Sequence, residues 1–147
     1  MARSDVTIRR FVFNDFDAAV ALWARTPGVA LTDADSPEAV ARYLQRNAGL
    51  SFVAEAGGEL VGTILCGHDG RRGFIHHLVV APTHRRLGLA TRLLEAGIQA
   101  LRAEGMTKAH LMVFRSNEDG LAFWRARGVE RTEIVLCSVE VLSLIHI

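Results

Sequence analysis

The chain has 147 residues, half of them hydrophobic, which predicts one domain over 1–147 with a sizeable core. Its formal net charge of +1 creates no field that would draw it to nucleic acid or to an anionic membrane surface. The N-terminus lacks the apolar segment of a signal peptide, and no apolar run is long enough to span a bilayer, so we expect a cytoplasmic protein.

Cys66 and Cys137 have no zinc-ligand spacing. We expect reduced, buried thiols, although the spacing also permits one bridge.

The first half of the chain predicts a strand, two helices and a hairpin. Apolar residues alternate in "DVTIRRFVF", which is typical of a strand. The stretch "NDFDAAVALWART" predicts a helix with Asn14 or Asp15 as N-cap. A second helix is predicted in "SPEAVARYLQRN", where Ser36 is the N-cap and Pro37 takes the first helical position. The stretch "SFVAEAGGELVGTIL" predicts a hairpin that turns at its glycine pair.

The second half alternates strands with helices. A strand in "GFIHHLVVAP" closes at its proline, and the next helix is predicted from His84 to Glu104 because its apolar residues share one face. A strand in "KAHLMVF", a helix in "EDGLAFWRAR" and a last strand in "TEIVLCSVEV" follow. The predicted order is β-α-α-β-β-β-α-β-α-β. This order indicates an α/β (α+β) fold with a mixed central sheet and helices on both faces.

The loop "HRRLGLA" has the features of an anion-binding turn. A helix N-terminus carries unpaired amides and partial positive charge. Gly88 lets the backbone approach a ligand closely, and Arg85 and Arg86 add positive charge for phosphate oxygens. The glycines and the lysine of a Walker loop, and the pattern of a dinucleotide-binding turn, are absent. The loop therefore predicts a pyrophosphate site; the alternative interpretation is a basic helix start on a solvated surface.

Three segments resemble the GNAT superfamily of N-acetyltransferases. "RRLGLA" matches the family's Q/R-x-x-G-x-G/A signature, and "HHLVVAPTHR" matches its strand and proline turn. "NEDGLAFWRARGV" resembles a further family segment through Asn117 and Gly128. The resemblance covers nearly the whole chain. It is greatest for small bacterial acetyltransferases of unassigned substrate, and the chain is also similar to ribosomal-protein N-terminal acetyltransferases.

The resemblance implies acetyl-CoA as co-substrate and direct attack by a primary amine in a ternary complex. The pantetheine arm is expected to enter where "FIHHLVV" splays from "HLMVF", pair with the backbone of Leu78, Val79 and Val80, and contact Asn117. The amide near Val79 or Val80 is expected to polarise the thioester carbonyl. The amides from Arg86 to Thr91 are expected to cradle the pyrophosphate. The cofactor-binding residues expected in this loop are Arg85, Arg86, Leu87, Gly88, Leu89, Ala90 and Thr91. The expected partner is a small-molecule or peptide amine, with no nucleic acid or membrane, and the protein is expected to be a monomer or homodimer.

Two positions depart from the family pattern. Trp124 stands where relatives often carry a tyrosine that protonates the leaving thiolate, and an indole N–H is a poor proton source. We expect Trp124 to pack around the thioester instead. Met112 stands where the ribosomal-protein enzymes carry a glutamate base. Both departures argue against that particular mechanism and its peptide substrate.

The general base must then be another residue. His76 matches a position where arylalkylamine acetyltransferases carry a histidine, and an imidazole titrates in the range that suits an ammonium substrate. His110 and Glu55 are weaker candidates, and an ordinary strand histidine is the structural alternative. Strand alternation predicts one face with Phe74, His76, Leu78 and Val80, and the opposite face with Ile75, His77 and Val79.

Several interpretations stay open at this stage. A non-catalytic acyl-CoA-binding module would keep the cradle and lack the acid, whereas a helix-turn-helix nucleic-acid binder is disfavoured by the charge balance. Asp33 and Asp35 precede a Ser-Pro pair. They are more typical of turn formation than of amine binding. Trp23 is expected in the core. The tail "LSLIHI" resembles translated adapter DNA, so the last few residues are interpreted as non-native.

Overall fold

The structure is a computed structural model that describes residues 5–142. The chain divides into two compact units, Met1–Phe114 and Arg115–Ile147, which are described separately. Residues 143–147, which contain most of the "LSLIHI" tail, lie outside the described residues, as do residues 1–4. The interpretation of that tail therefore stays a prediction.

The first unit is built on a mixed five-stranded sheet with strand order β1-β2-β3-β4-β5. The first four strands pair antiparallel, and β4 pairs with β5 in parallel. Its strands and helices are β1 (Val6–Arg10), α1 (Phe16–Ala24), α2 (Pro37–Arg46), β2 (Phe52–Ala56), β3 (Glu59–His68), β4 (Gly73–Val80), α3 (Leu89–Ala103) and β5 (Ala109–Leu111).

Local signals place several of these elements where the sequence predicts them. Ser36 Oγ accepts a hydrogen bond of 3.1 Å from the Ala39 amide, which caps α2 one residue before Pro37. Gly57 and Gly58, with φ of 57° and 81°, form the tight turn between β2 and β3. The predicted hairpin and second helix are therefore confirmed.

Helices pack on both faces of the sheet, as predicted. A Cβ at Gly62 of β3 would lie 3.0 Å from Leu93 Cδ1, so α3 packs closely against that face. The next residue along β3, Thr63, points to the other face, where its hydroxyl accepts a hydrogen bond from Trp23 of α1. Trp23 is fully buried, as expected for a core residue.

The third helix begins later than its apolar periodicity suggests. Residues Pro82–His84 form a short 3-10 turn, and α3 starts at Leu89 rather than at His84. Gly88 is the N-cap and has φ of 73°, a left-handed conformation that cannot continue a right-handed helix. The predicted start was wrong because periodicity reports a buried face and does not report the backbone conformation of the residues before it.

The second unit contains α4 (Glu118–Arg125), which Asn117 caps by accepting a hydrogen bond of 3.0 Å from the Gly120 amide. The predicted last strand in "TEIVLCSVEV" is wrong, because the described residues after α4 contain no strand. A strand needs a backbone partner, which alternation within one segment does not provide.

Ile134 and Val135 are exposed, and so is Cys137, contrary to the expectation of a buried thiol. Both cysteines are free, and Cys66 is buried as expected.

Candidate active site

A β-bulge interrupts β4 between His76 and Val79. Val79 pairs with Thr63 of β3, but His76 pairs with Leu65, so β4 has one more residue than β3 over this stretch. His77 has φ of 47°, a left-handed conformation that is uncommon outside glycine.

The bulge places both histidines toward α1 and α2. The His76 ring meets Tyr43 of α2 edge-on at a centroid distance of 6.1 Å. The His77 ring lies against Trp23 of α1 at 4.4 Å. The predicted separation of His76 and His77 on opposite faces is therefore wrong, because strict alternation holds only where the pairing register is unbroken.

The same part of β4 has an open edge. Pairing between β4 and β5 ends at Ile75 and Leu111, so the β4 backbone from His76 to Val80 is not paired with β5. The expected divergence of these two strands is thus present within the first unit. An unpaired strand edge offers N–H and C=O groups to an extended ligand.

Four side chains form a connected group around the bulge, which we call the bulge network: Trp23, Thr63, His77 and Asp35. The Thr63 hydroxyl accepts from Trp23 Nε1 at 2.9 Å and donates to the His77 carbonyl at 2.7 Å. His77 Nε2 lies 2.7 Å from Asp35 Oδ1, and the two side chains are only 16% and 10% exposed. The other Asp35 oxygen accepts from the Thr32 amide at 3.0 Å. The loop before α2 is therefore tied to β4 by a largely buried contact.

His76 has the protonation behaviour that a base requires. Burial lowers its pKa below the usual 6.5, the neighbouring charge of His77 lowers it further, and Asp35 opposes the shift. The His76 imidazole is consequently neutral at pH 7 and has a lone pair that can accept a proton.

The loop between β4 and α3 has an unusual backbone. Arg86 and Gly88 both have positive φ, 65° and 73°. Left-handed residues beside right-handed ones turn successive amides toward one side, an arrangement that suits an anion. The first turn of α3 follows directly, and helix N-termini favour negative charge. Arg86 is exposed, and Arg85 Nε lies 3.5 Å from the Val80 carbonyl oxygen at the end of β4.

The two weaker base candidates are engaged elsewhere. His110 of β5 has its ring against Phe74 at a centroid distance of 6.0 Å. Glu55 Oε2 accepts a hydrogen bond of 3.0 Å from Arg9, which also binds Asp15. His76 is therefore the one of the three candidates that lies beside the bulge and the open edge.

Asn117 and Trp124 belong to the second unit. The side-chain oxygen of Asn117 caps α4, and Trp124 packs edge-on against Phe123 at 5.0 Å. Their predicted contacts with acetyl-CoA stay predictions.

Sequence reasoning missed the pairing of Asp35 with His77 and the role of Thr63. Asp35 was interpreted as a turn former, and it does accept the Thr32 amide as such a residue would. Its second contact, with His77, spans 42 residues of sequence. The sequence contains one signal of the irregular pairing in β4, namely its two adjacent histidines. Two polar residues in succession break the alternation of a half-buried strand.

The first unit thus combines a mixed sheet, helices on both of its faces, an open edge on a bulged strand and two residues of positive φ in the turn before α3. A family model described as "Acetyltransferase (GNAT) family" matches residues 16–129, and the chain belongs to this family. The protein is an N-acetyltransferase, and acetyl-CoA is its co-substrate.

Similar proteins of known sequence and structure agree with this assignment. The chain is 34% identical over 129 residues to "Acetyltransferase ECA0875" of Pectobacterium atrosepticum, covering 87% of this chain and 90% of the relative. It is 35% identical over 130 residues to "Acetyltransferase SG1711" of Sodalis glossinidius, covering 88% and 90%. The PaiA N-acetyltransferase of Thermoplasma acidophilum, solved in complex with coenzyme A, has the same fold, with a TM-score of 0.71, 18% identity and coverage of 84% and 88%.

In residues 5–142, none of the helices has the length and apolar character needed to cross a membrane.

Proposed function

We propose that the protein transfers the acetyl group of acetyl-CoA directly to a primary amine while both substrates are bound. The observation that carries this proposal is the coincidence of the β4 bulge, the open edge beyond Ile75 and a neutral His76. An extended ligand on the open edge would bring its acyl group close to the histidine. Holding two reactants together in this way supplies much of the rate.

The chain offers acetyl-CoA two kinds of backbone contact. Leu78, Val79 and Val80 belong to the open edge, where amides and carbonyls can pair with the pantetheine arm. An amide at Val79 or Val80 would stabilise negative charge on the thioester oxygen. The proposed pyrophosphate contacts are the amides of residues 86–91, and two positive φ angles support this assignment.

In the proposed reaction, His76 removes a proton from the acceptor ammonium, either directly or through one water. The freed amine lone pair then forms the C–N bond at the acyl carbon, the C–S bond breaks, and its electron pair leaves on the CoA sulfur. The second amine proton passes to that thiolate or to solvent. No acyl group is transferred to the protein.

The proposed mechanism needs no side-chain acid. An ordinary thiol has a pKa near ~8.5, so a thiolate is a tolerable leaving group at neutral pH. The mechanism therefore does not require Trp124, whose indole N–H is a poor proton source.

The decisive test is an acetyl-transfer screen over amines, amino acids and peptides, monitored by acceptor-dependent CoA release. Mass spectrometry of the acceptor should show the added acetyl group. Binding of acetyl-CoA by calorimetry without any acceptor-dependent release would favour the acyl-CoA-binding module and contradict the proposal.

The proposed base has a separate test. His76→Ala should lower kcat/KM by a factor on the order of 10²–10⁴ with little change in acetyl-CoA affinity. Because the reaction uses the neutral imidazole, the rate should fall with decreasing pH through the lowered pKa of His76. His76→Ala should remove this acid limb, whereas His110→Ala should retain it. An acid limb that persists in His76→Ala would transfer the role to another group.

A further inference from the structure

The His76 side chain is oriented without a hydrogen bond. In residues 5–142, its ring nitrogens have no hydrogen-bond or ion-pair partner, unlike those of His77, whose Nε2 lies 2.7 Å from Asp35. The ring contact that His76 makes in this part of the chain is with Tyr43 of α2, edge-on at a centroid distance of 6.1 Å and an interplanar angle of 76°. In a Ser-His-Asp triad, a hydrogen-bonded carboxylate fixes the orientation of the histidine ring. For His76, packing has to do so.

We propose that Tyr43 is the positioning residue for His76: its ring holds the imidazole in one orientation and leaves the imidazole nitrogens free for the acceptor. This inference rests on the proposed function, since it takes His76 as the base. The hydroxyl of Tyr43 is buried, so Tyr43 is assigned no contact with substrate.

The Tyr43 ring is held in place from two sides of α2. Val40, Tyr43 and Asn47 are spaced three and four residues apart, so they share one face of the helix. Val40 and Asn47 are both buried, which makes this the face that packs on the sheet. Asn47 also ties the end of α2 to β3, because its Oδ1 accepts a hydrogen bond of 3.1 Å from the His68 amide. Tyr43 lies between these two anchors.

Gly67 of β3 leaves the space that the phenol fills. A Cβ at Gly67 would lie 2.8 Å from Tyr43 Oη and 2.7 Å from Asn47 Nδ2, so any larger residue would force both side chains to shift. Gly67 pairs with Phe74, which lies two residues before His76 on β4, and the register between the two strands is unbroken over this stretch. The phenol therefore lies against the same face of the sheet as His76.

The hydroxyl of Tyr43 adds no hydrogen bond to this arrangement. Within residues 5–142 its oxygen has no partner, and burial raises the pKa of the phenol, which stays neutral at pH 7. The proposed role therefore belongs to the ring. Tyr43→Phe keeps the ring and removes an unsatisfied polar atom, whereas Tyr43→Leu removes the ring edge. The two variants form a matched pair.

The first test follows His76 by NMR in the full chain and needs no acceptor; its signal is assigned through His76→Gln. The unaltered protein should show one His76 χ1 rotamer and contacts with the Tyr43 ring, whose signals are unambiguous because the chain has a single tyrosine. Tyr43→Phe should keep this rotamer and the titration midpoint. Tyr43→Leu should average the rotamer and raise the midpoint, because burial is the main cause of the lowered pKa of His76. His77 and Asp35, the ionisable neighbours, are present in both variants.

Val40→Ala separates positioning from stability. Val40 lies one turn before Tyr43 and is 1% exposed, so its truncation should lower the urea midpoint of unfolding. The His76 rotamer and titration midpoint should stay in place. If Val40→Ala moves them as Tyr43→Leu does, the effect is a general loosening of α2, and the proposal is overturned. An averaged His76 rotamer in the unaltered protein would also overturn it, and that measurement decides alone if Tyr43→Leu does not fold.

Catalysis provides the second test. With any amine that gives acceptor-dependent CoA release, Tyr43→Leu should lower kcat/KM by about ten- to a hundredfold, mainly through kcat, with acetyl-CoA affinity little changed. Tyr43→Phe should keep nearly full activity. An inactive Tyr43→Phe, or an unchanged kcat in Tyr43→Leu, would refute the positioning role. If the unaltered protein acetylates no amine, the proposed function fails, and the catalytic role of Tyr43 falls with it even where the NMR result shows a fixed ring.

Discussion

Replacing Thr63 by valine should test whether the bulge network stabilises the fold. Valine has nearly the shape of threonine but lacks the hydroxyl, so packing is retained while two hydrogen bonds are lost. The Trp23 indole N–H would lose its acceptor at 2.9 Å, and the His77 carbonyl would lose its donor at 2.7 Å. Thr63 and Trp23 are both fully buried, so water cannot readily replace the missing partner of the indole.

The expected loss follows from the cost of an unsatisfied buried group. Each such group costs about 1–3 kcal/mol, so the loss of both partners in Thr63→Val should lower the free energy of unfolding by about 2–6 kcal/mol. Thr63→Ser is the matched control, because it keeps the hydroxyl and removes one methyl group, at a cost of roughly 1 kcal/mol.

Urea unfolding followed by tryptophan fluorescence would measure both variants. A double-mutant cycle with Trp23→Phe isolates the indole contribution: valine at position 63 should cost less once the N–H is absent. The reasoning is refuted if Thr63→Val unfolds within 0.5 kcal/mol of the wild type, about the scatter of an ordinary surface substitution.

Substitutions at three further positions examine the proposed pyrophosphate cradle, the packing of α3 and the last helix. Gly88→Glu should abolish most acetyl-CoA binding by calorimetry, and Gly88→Ala, which shares the backbone strain without the charge, should bind better; equal affinities would contradict the pyrophosphate assignment. Gly97→Ala should lower the free energy of unfolding by about 1–3 kcal/mol, because the new Cβ would lie 2.6 Å from Cys66 Sγ; an unchanged urea midpoint would count against this close packing. Trp124→Phe should keep most activity while Trp124→Ala loses more; equal losses in steady-state kinetics, with circular dichroism unchanged, would indicate that the indole N–H takes part in the chemistry.

The signals that predicted this fold are local. Ser36 and Pro37 specify the start of α2, and the glycine pair specifies the hairpin turn, because capping and turn conformations depend on a few adjacent residues. The loop after β4 could be proposed as an anion site for the same reason: Arg85, Arg86 and Gly88 lie within four consecutive positions, and their chemistry depends little on distant residues.

Features that depend on partners distant in sequence were predicted poorly. Alternation in "TEIVLCSVEV" satisfied the local pattern of a strand, yet the residues described there form none. A ladder requires a second backbone in register, which the segment cannot encode by itself.

The sequence by itself therefore determined the order of strands and helices through α4. The roles assigned to the loop after β4 and to His76 stay predictions. Only the tertiary structure decided how His76 is surrounded. The bulge depends on the register between β3 and β4, and the Asp35–His77 contact joins residues 42 positions apart. Neither has a local signature, because both arise from how distant backbone segments pair and pack.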